Sequence, residues 1–220
     1  MSITPYYETE LGRLYHGDCL EIMPMLEPVD LVLTDPPYGI GESNEKNASR
    51  GCIAKTTDFG SYDWDKKKVS DEHVLQIIKA SKNQIIFGGN YYGSILGDTS
   101  CYLVWNKDNG KTDFADCELA WTSFKTATRI IRWRWQGMLK ECKEKRYHPT
   151  QKPFGLFVAI LEKYAQQTDL ICDPMFGGGT TLLACERLNR RWIGIEIEEK
   201  YCEIAAKRIE KERSQLKLFT

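Results

Sequence analysis

The sequence predicts an α/β fold in which a mostly parallel sheet carries helices on both faces. Three observations point to it. Short apolar runs rich in β-branched residues alternate along the chain with stretches of helical periodicity. The strand runs are close to continuous in apolar residues, as strands buried on both faces must be. One strand also passes through a glycine-rich turn directly into a helix and then a second strand, the layout of a βαβ unit.

Taken in order, the strands are expected at 13–15, 29–34, 83–87, 101–105, 117–123, 169–172 and 191–195. The segment 70–82 opens with Ser-Asp-Glu, a helix-start signal, and then sets Val74, Leu75, Ile77 and Ile78 on one side. Phe154, Phe157, Val158, Ile160 and Leu161 do the same within 153–165, and helices at 180–188 and 198–215 complete the set. Two stretches break this rhythm. Residues 39–68 are rich in Gly, Ser, Asn, Asp and Lys and read as a long mobile loop, a length that in a compact domain points to function or disorder. Residues 125–152 gather nine Lys and Arg against Glu141 and Glu144, with basic residues interleaving Trp133 and Trp135 in RIIRWRWQG.

At 220 residues one domain, spanning 1–220, can bury a full core. A formal charge of −1, with 28% charged and 42% hydrophobic residues, describes a globular rather than a disordered chain. Near-neutrality leaves nucleic acid open as a partner, because a local basic face suffices. Neither a signal peptide nor a membrane span is evident, so a cytoplasmic protein with no membrane partner is expected. The eight cysteines form no C-x-x-C pair and have no histidine at zinc spacing, and several sit in apolar runs. They read as small buried hydrophobes in a reducing compartment, with no metal site expected; disulfides or zinc are the competing reading.

Residues 30–40, DLVLTDPPYGI, end a strand on an acid, two prolines and a tyrosine. The carboxyl edge of an open α/β sheet is where ligands bind. Pro36 and Pro37 set the direction of the local carbonyls and supply no N–H, which leaves a site made mainly of acceptors. A planar amino group with two donors complements it. The lone pair of a nucleobase amine is delocalised into the ring. Accepting both N–H groups, on the Asp35 side chain and the Pro36 carbonyl, draws the nitrogen towards tetrahedral and frees that pair, while Tyr38 stacks on the base. Such a base must be flipped out of a duplex or single-stranded. A rigid surface turn is the competing reading of D-P-P-Y.

In DLICDPMFGGGTTLLACERLNRRWIGIEI, a strand ends at Asp173, glycines follow, a helix starts near Thr180 and the next strand ends at Glu196. The glycines permit close backbone approach, and an acid at the next strand end suits two ribose hydroxyls. Without a G-K-[ST] ending or G-x-G-x-x-G spacing, a nucleoside cofactor lacking phosphates fits best, and S-adenosylmethionine is the obvious one. A tight ligand-free turn would also need glycine.

With both motifs in view, the sequence resembles the β class of DNA amino-methyltransferases, in which the DPPY element precedes the target-recognition segment and the cofactor loop comes last. HPTQKP at 148–153, YHGDCLEIM at 15–23 and VWNKDN at 104–109 look like further elements of that class. The resemblance implies a Rossmann-like S-adenosylmethionine-dependent methyltransferase fold with a seven-stranded sheet, and site-specific transfer to adenine N6 in double-stranded DNA with the target base flipped. Cytosine N4 or an RNA adenine are the alternative acceptors, and a catalytically silent nucleic-acid-binding module is the alternative class; the residues do not fix the oligomeric state, and the resemblance admits a homodimer.

Carried over, Asp35, Pro36, Pro37 and Tyr38 are catalytic. Asp18 reads the cofactor adenine and Glu196 its ribose; Asp173, Phe176, Gly177 and Gly179 form the loop; Thr150 and Lys152 lie near its carboxylate. Taken alone, Asp18 reads equally as a helix N-cap, and Thr150 and Lys152 as a lead into the following helix. Met175 and Gly178 depart from the usual D-P-F-x-G-S-G. The target-recognition segment, about 110–147, is short for its class, and its Arg129, Arg132, Arg134 and Lys140 are the expected nucleic-acid contacts. A solvated strand face with buried tryptophans is the competing reading there. Replacing Arg132 and Arg134 together by Ala is expected to weaken DNA binding and flatten its salt dependence while leaving S-adenosylmethionine affinity intact; an unchanged salt slope in a binding titration would refute this.

Overall fold

The computed structural model describes residues 3–39, 68–110, 115–136, 139–140 and 144–216. The loop expected at 39–68 lies outside the described residues except for its two ends, where Tyr38 and Lys68 form an antiparallel bridge. The elements run β1 (Tyr7–Glu8), β2 (Gly12–His16), α1 (Cys19–Ile22), β3 (Val29–Thr34), α2 (Asp71–Ala80), β4 (Ser81–Phe87), α3 (Gly93–Leu96), β5 (Tyr102–Asn106), β6 (Cys117–Thr122), β7 (Arg129–Arg132), β8 (Trp135–Gln136), β9 (Leu139–Lys140), α4 (Phe154–Tyr164), β10 (Leu170–Asp173), α5 (Thr180–Arg187), β11 (Arg191–Glu196) and α6 (Glu199–Leu216).

All seven expected strands join one sheet, ordered β1-β2-β11-β10-β3-β4-β6-β5-β7. It has nine strands rather than seven. The two additions sit at its edges: β1 pairs antiparallel with β2, and β7, from the basic segment, pairs parallel with β5. Neither carries an apolar run of strand length, because an edge strand buries little. From β2 to β4 the pairing is parallel throughout, whereas β6 runs antiparallel to both β4 and β5.

Side-chain alternation divides the core between the sheet's two faces. Leu31, Leu33, Ile85 and Phe87 point into one cluster with residues of α4, α5 and α6, whereas Val32 and Ile86 join α1, α2 and α3 in the other. Helices therefore cover both faces, as the apolar strands demand. Five of the six described cysteines are buried.

At the first edge Trp192 of β11 is fully buried, and its Nε1 donates to Glu186 Oε1 at 3.0 Å. The neighbouring position on β2 is Gly12, where an added Cβ would stand 2.2 Å from the indole. Truncating Trp192 to Ala opens a large void and leaves Glu186 short of a donor. A loss of about 3–5 kcal/mol is expected, visible in thermal melting as a Tm lower by roughly 6 °C or more.

Candidate active site

Because β2, β11, β10 and β3 are parallel neighbours, their carboxyl ends share one edge. The residues there, in spatial order, are Asp18 just after β2, Glu196 ending β11, Asp173 ending β10 and Asp35 just after β3. Four acids from distant parts of the chain thus stand in a row, each held by a different device.

Asp18 caps α1, its Oδ1 accepting from Leu20 N at 2.8 Å. Glu196 is buried; Oε2 accepts from Gly177 N at 2.9 Å and Oε1 from Glu198 N at 3.0 Å. Burial pushes its pKa up to about 7 against those two hydrogen bonds. Asp173 is also buried, its carboxylate taken up by the hydroxyls of Thr34 (2.9 Å) and Thr181 (2.5 Å) and by Met175 N. Burial raises it to about 6. Asp173 thereby ties β3, β10 and α5 together beneath the turn.

In the turn itself Gly177 and Gly179 have φ of +50° and +77°, which other residues rarely adopt. Buried Arg208 of α6 donates to the Gly178 carbonyl and pins the turn from behind. The His148 ring lies against it, and burial lowers that imidazole's pKa to about 3. Thr150 turns towards His148, its hydroxyl 3.1 Å from Nδ1. Phe176 packs into the core beside Gly194, while half-buried Met175 lines the cleft.

The DPPY segment carries more donors than the site made mainly of acceptors expected of it. Lys152 Nζ stands 2.5 Å from Asp35 Oδ2, and the Tyr38 hydroxyl donates to Oδ1. Both oxygens hold donors from the protein itself. Lys152, expected near the cofactor's carboxylate, lines the cleft beside the glycine turn and is paired with Asp35, because buried opposite charges are retained only when paired. Its ammonium is also 3.1 Å from Glu118 Oε2, and Lys107 Nζ is 2.6 Å from Glu118 Oε1. Burial pushes Asp35 above the usual carboxylate range, with Lys152 opposing it. Glu118, despite its partial burial, is drawn below that range by Lys152 and Lys107. Tyr38 stacks on Tyr91, centroids 5.3 Å apart, and its ring crosses Gly88, where a Cβ would come within 2.1 Å. Tyr92 donates to the Pro37 carbonyl at 2.6 Å.

The basic segment threads the sheet edge with period two. Trp133 and Trp135 pack inward, Trp133 against Gly155, while Arg132 and Arg134 face solvent. Arg129 is exposed, and Arg134 pairs with Asp108 at 2.6 Å. The Lys140 side chain lies outside the described residues. Sequence reasoning missed Glu118 and Arg208. No local pattern marks either, since Glu118 reaches Lys152 and Arg208 reaches Gly178, each 30 or more residues away.

The fold and the site define an S-adenosylmethionine-dependent methyltransferase. The residues suit that cofactor: buried Glu196 and Asp18 offer acceptors to an adenosine, and the glycine turn carries no lysine for a phosphate. Comparisons with known proteins narrow the class. A family model described as DNA methylase matches residues 103–207. The Type II methyltransferase M2.LlaDCHI of Lactococcus lactis subsp. cremoris is 27% identical over 94% of this chain and 92% of its own. M.HinfI of Haemophilus influenzae is 28% identical over 90% and 68%. The crystal structure of the M1.HpyAVI–SAM complex matches with a TM-score of 0.60 at 25% identity, covering 90% of this chain and 99% of that one. The PvuII cytosine-N4-specific DNA methyltransferase matches in fold, with a TM-score of 0.62 at 18% identity over 96% and 93%. These likenesses support an S-adenosylmethionine-dependent DNA methyltransferase. No described helix is long and apolar enough to cross a membrane.

Glu196 makes stability depend on pH. Its folded pKa of about 7 exceeds an unfolded value near 4.5, so the folded state binds the proton more tightly. Stability is gained as pH falls from about 8 to 5, on the order of 3 kcal/mol in full. His148 acts with the opposite sign, because its depressed pKa costs stability below its unfolded value of 6.5. Comparison with Glu196→Gln isolates the Glu196 part: the Tm difference, wild type minus variant, is expected to rise as pH falls across that range. A flat difference would refute it.

Proposed function

We propose that the protein transfers a methyl group to N6 of an adenine flipped out of double-stranded DNA at a specific sequence. The observation that carries this reading is the Asp35 carboxylate at the end of β3, set beside Asp173 and the glycine turn on the same sheet edge. Choice of adenine rests on aspartate as the first residue of D-P-P-Y, through the resemblance noted above.

Asp18 would accept from the cofactor's adenine amine and Glu196 from its ribose hydroxyls. Gly177 and Gly179, over Asp173 and Phe176, would shape the turn around it, and Thr150 would border it. When bound, S-adenosylmethionine supplies a methyl group on a sulfonium sulfur that leaves as a neutral thioether. The protein's part is to orient the amine and remove its proton.

Tyr38 links these tasks. While its hydroxyl sits on Asp35, Oδ1 is closed. Turning the ring outward opens Oδ1 to one amine N–H and offers the ring face to the base, with the Pro36 carbonyl taking the second N–H. The adenine lone pair is then free to attack, and Asp35 takes the surplus proton as the nitrogen becomes acidic. Exposed Arg129, Arg132 and Arg134 would hold phosphates beside the site.

Incubating DNA with protein and S-adenosylmethionine, then hydrolysing it for mass spectrometry, is expected to yield N6-methyladenine; N4-methylcytosine alone would overturn the adenine reading. Asp35→Ala should reduce transfer by roughly 100-fold or more with little change in cofactor affinity by calorimetry.

A further inference from the structure

Glu118 is a half-buried acid with no part in the steps above. It lies on β6, the strand that runs against its neighbours β4 and β5, and its carboxylate bridges Lys107 and Lys152 at 2.6 and 3.1 Å. Beyond Lys152 comes Asp35, at 2.5 Å. The lysine's ammonium stands 5.4 Å from the Phe87 ring centre and 5.5 Å from that of Tyr38. Four charges of alternating sign thus run from the surface at Lys107 to the reacting carboxylate. Taking such groups out of water costs several kcal/mol per ion unless each is paired.

We propose that Glu118 is a positioning residue of methyl transfer, holding Lys152 against Asp35 Oδ2 while offsetting the lysine's charge. The proposal rests on the reading that Asp35 receives the substrate amine. Two consequences of the geometry support it. The ammonium has three donors, and Asp35, Glu118 and the Tyr38 hydroxyl (3.4 Å) surround it. When Tyr38 leaves, Asp35 and Glu118 still hold Lys152, so Oδ2 stays engaged and Oδ1 faces the amine. The second consequence is electrostatic. As the nitrogen lone pair forms the C–N bond, the electrons of the breaking C–S bond stay on sulfur, and the amine becomes cationic until its proton passes through Asp35 to solvent. A lone Asp35–Lys152 pair is neutral and gives that charge little support. With Glu118 the three inner groups carry a net −1, and Lys107 lies on the far side. In a site shielded from water that difference acts strongly on a developing charge.

The groups facing Asp35 are Lys152, Glu118 and Tyr38, with Asp173 and Tyr92 further off, and neutral His148 faces Lys152. Glu118 raises the Asp35 pKa, so removing its charge lowers it.

The test is single-turnover methylation of duplex DNA by Glu118→Gln and Glu118→Asp across pH. Glu118→Gln is expected to lose about tenfold or more in rate, with S-adenosylmethionine Kd within about twofold of wild type and the acid limb of the rate profile moved to lower pH. Glu118→Asp, which keeps the charge at shorter reach, should recover part of the rate and the wild-type limb. A merely structural role would not move the limb. An unchanged rate and limb in Glu118→Gln overturns the proposal. If that variant does not fold, a full wild-type rate in Glu118→Asp overturns it and a reduced rate supports it. Should wild type methylate a base other than adenine, the adenine reading falls alone, since the rate comparison still decides the role of Glu118.

Discussion

Parallel strands end together, and in this protein four neighbouring ones end in acids. Asp18, Glu196, Asp173 and Asp35 would repel one another and suffer from burial if each were not answered separately. A helix N-terminus answers Asp18, backbone N–H groups answer Glu196, threonine hydroxyls answer Asp173, and an ammonium answers Asp35. Only the last of these is a full charge. That ranking matches the chemistry. Asp173 is committed to the scaffold; in the proposed reaction Glu196 and Asp18 accept from neutral hydroxyl and amine donors, and Asp35 meets a positive charge as it develops.

The DPPY segment is closed by its own residues. Tyr38 and Lys152 occupy both oxygens of Asp35, so the carboxylate never stands bare in a buried place. In the proposed reaction the tyrosine is the partner that moves. Its hydroxyl is a neutral donor, its ring rests on exposed Tyr91, and Gly88 leaves room beneath it. The lysine is the fixed partner, held by a second acid and seated among aromatic rings. Under that proposal, exchange of Tyr38 for a substrate amine costs one neutral hydrogen bond and preserves the ion pair.

How much of this was legible beforehand depended on distance along the chain. Apolar periodicity located the seven main strands and four main helices to within a few residues, because each buries enough surface to leave a pattern. Edge strands β1 and β7 left none. D-P-P-Y and the glycine turn were legible because their chemistry is contiguous: proline restraint, positive φ and a strand-end acid are local properties. Reading the RIIRWRWQG segment left two possibilities open, and the structure shows both at once, with tryptophans turned in and arginines turned out. The pairing of Lys152 with Asp35 was not legible, because H-P-T-Q-K-P shows a lysine beside a cofactor motif and says nothing of Asp35, 117 residues earlier.

The sequence alone determined the layer architecture and the row of acids and glycines at the carboxyl edge. These follow from short-range sterics and from the burial each segment requires. Tertiary structure alone decided who partners whom: that Asp173 is a scaffold acid, that Lys152 serves Asp35, and that Glu118 stands behind it. The physical reason is that pairing of buried charges is settled by proximity in space. The crossovers that bring β3, β6 and the segment before α4 together set that proximity, and no local pattern records it.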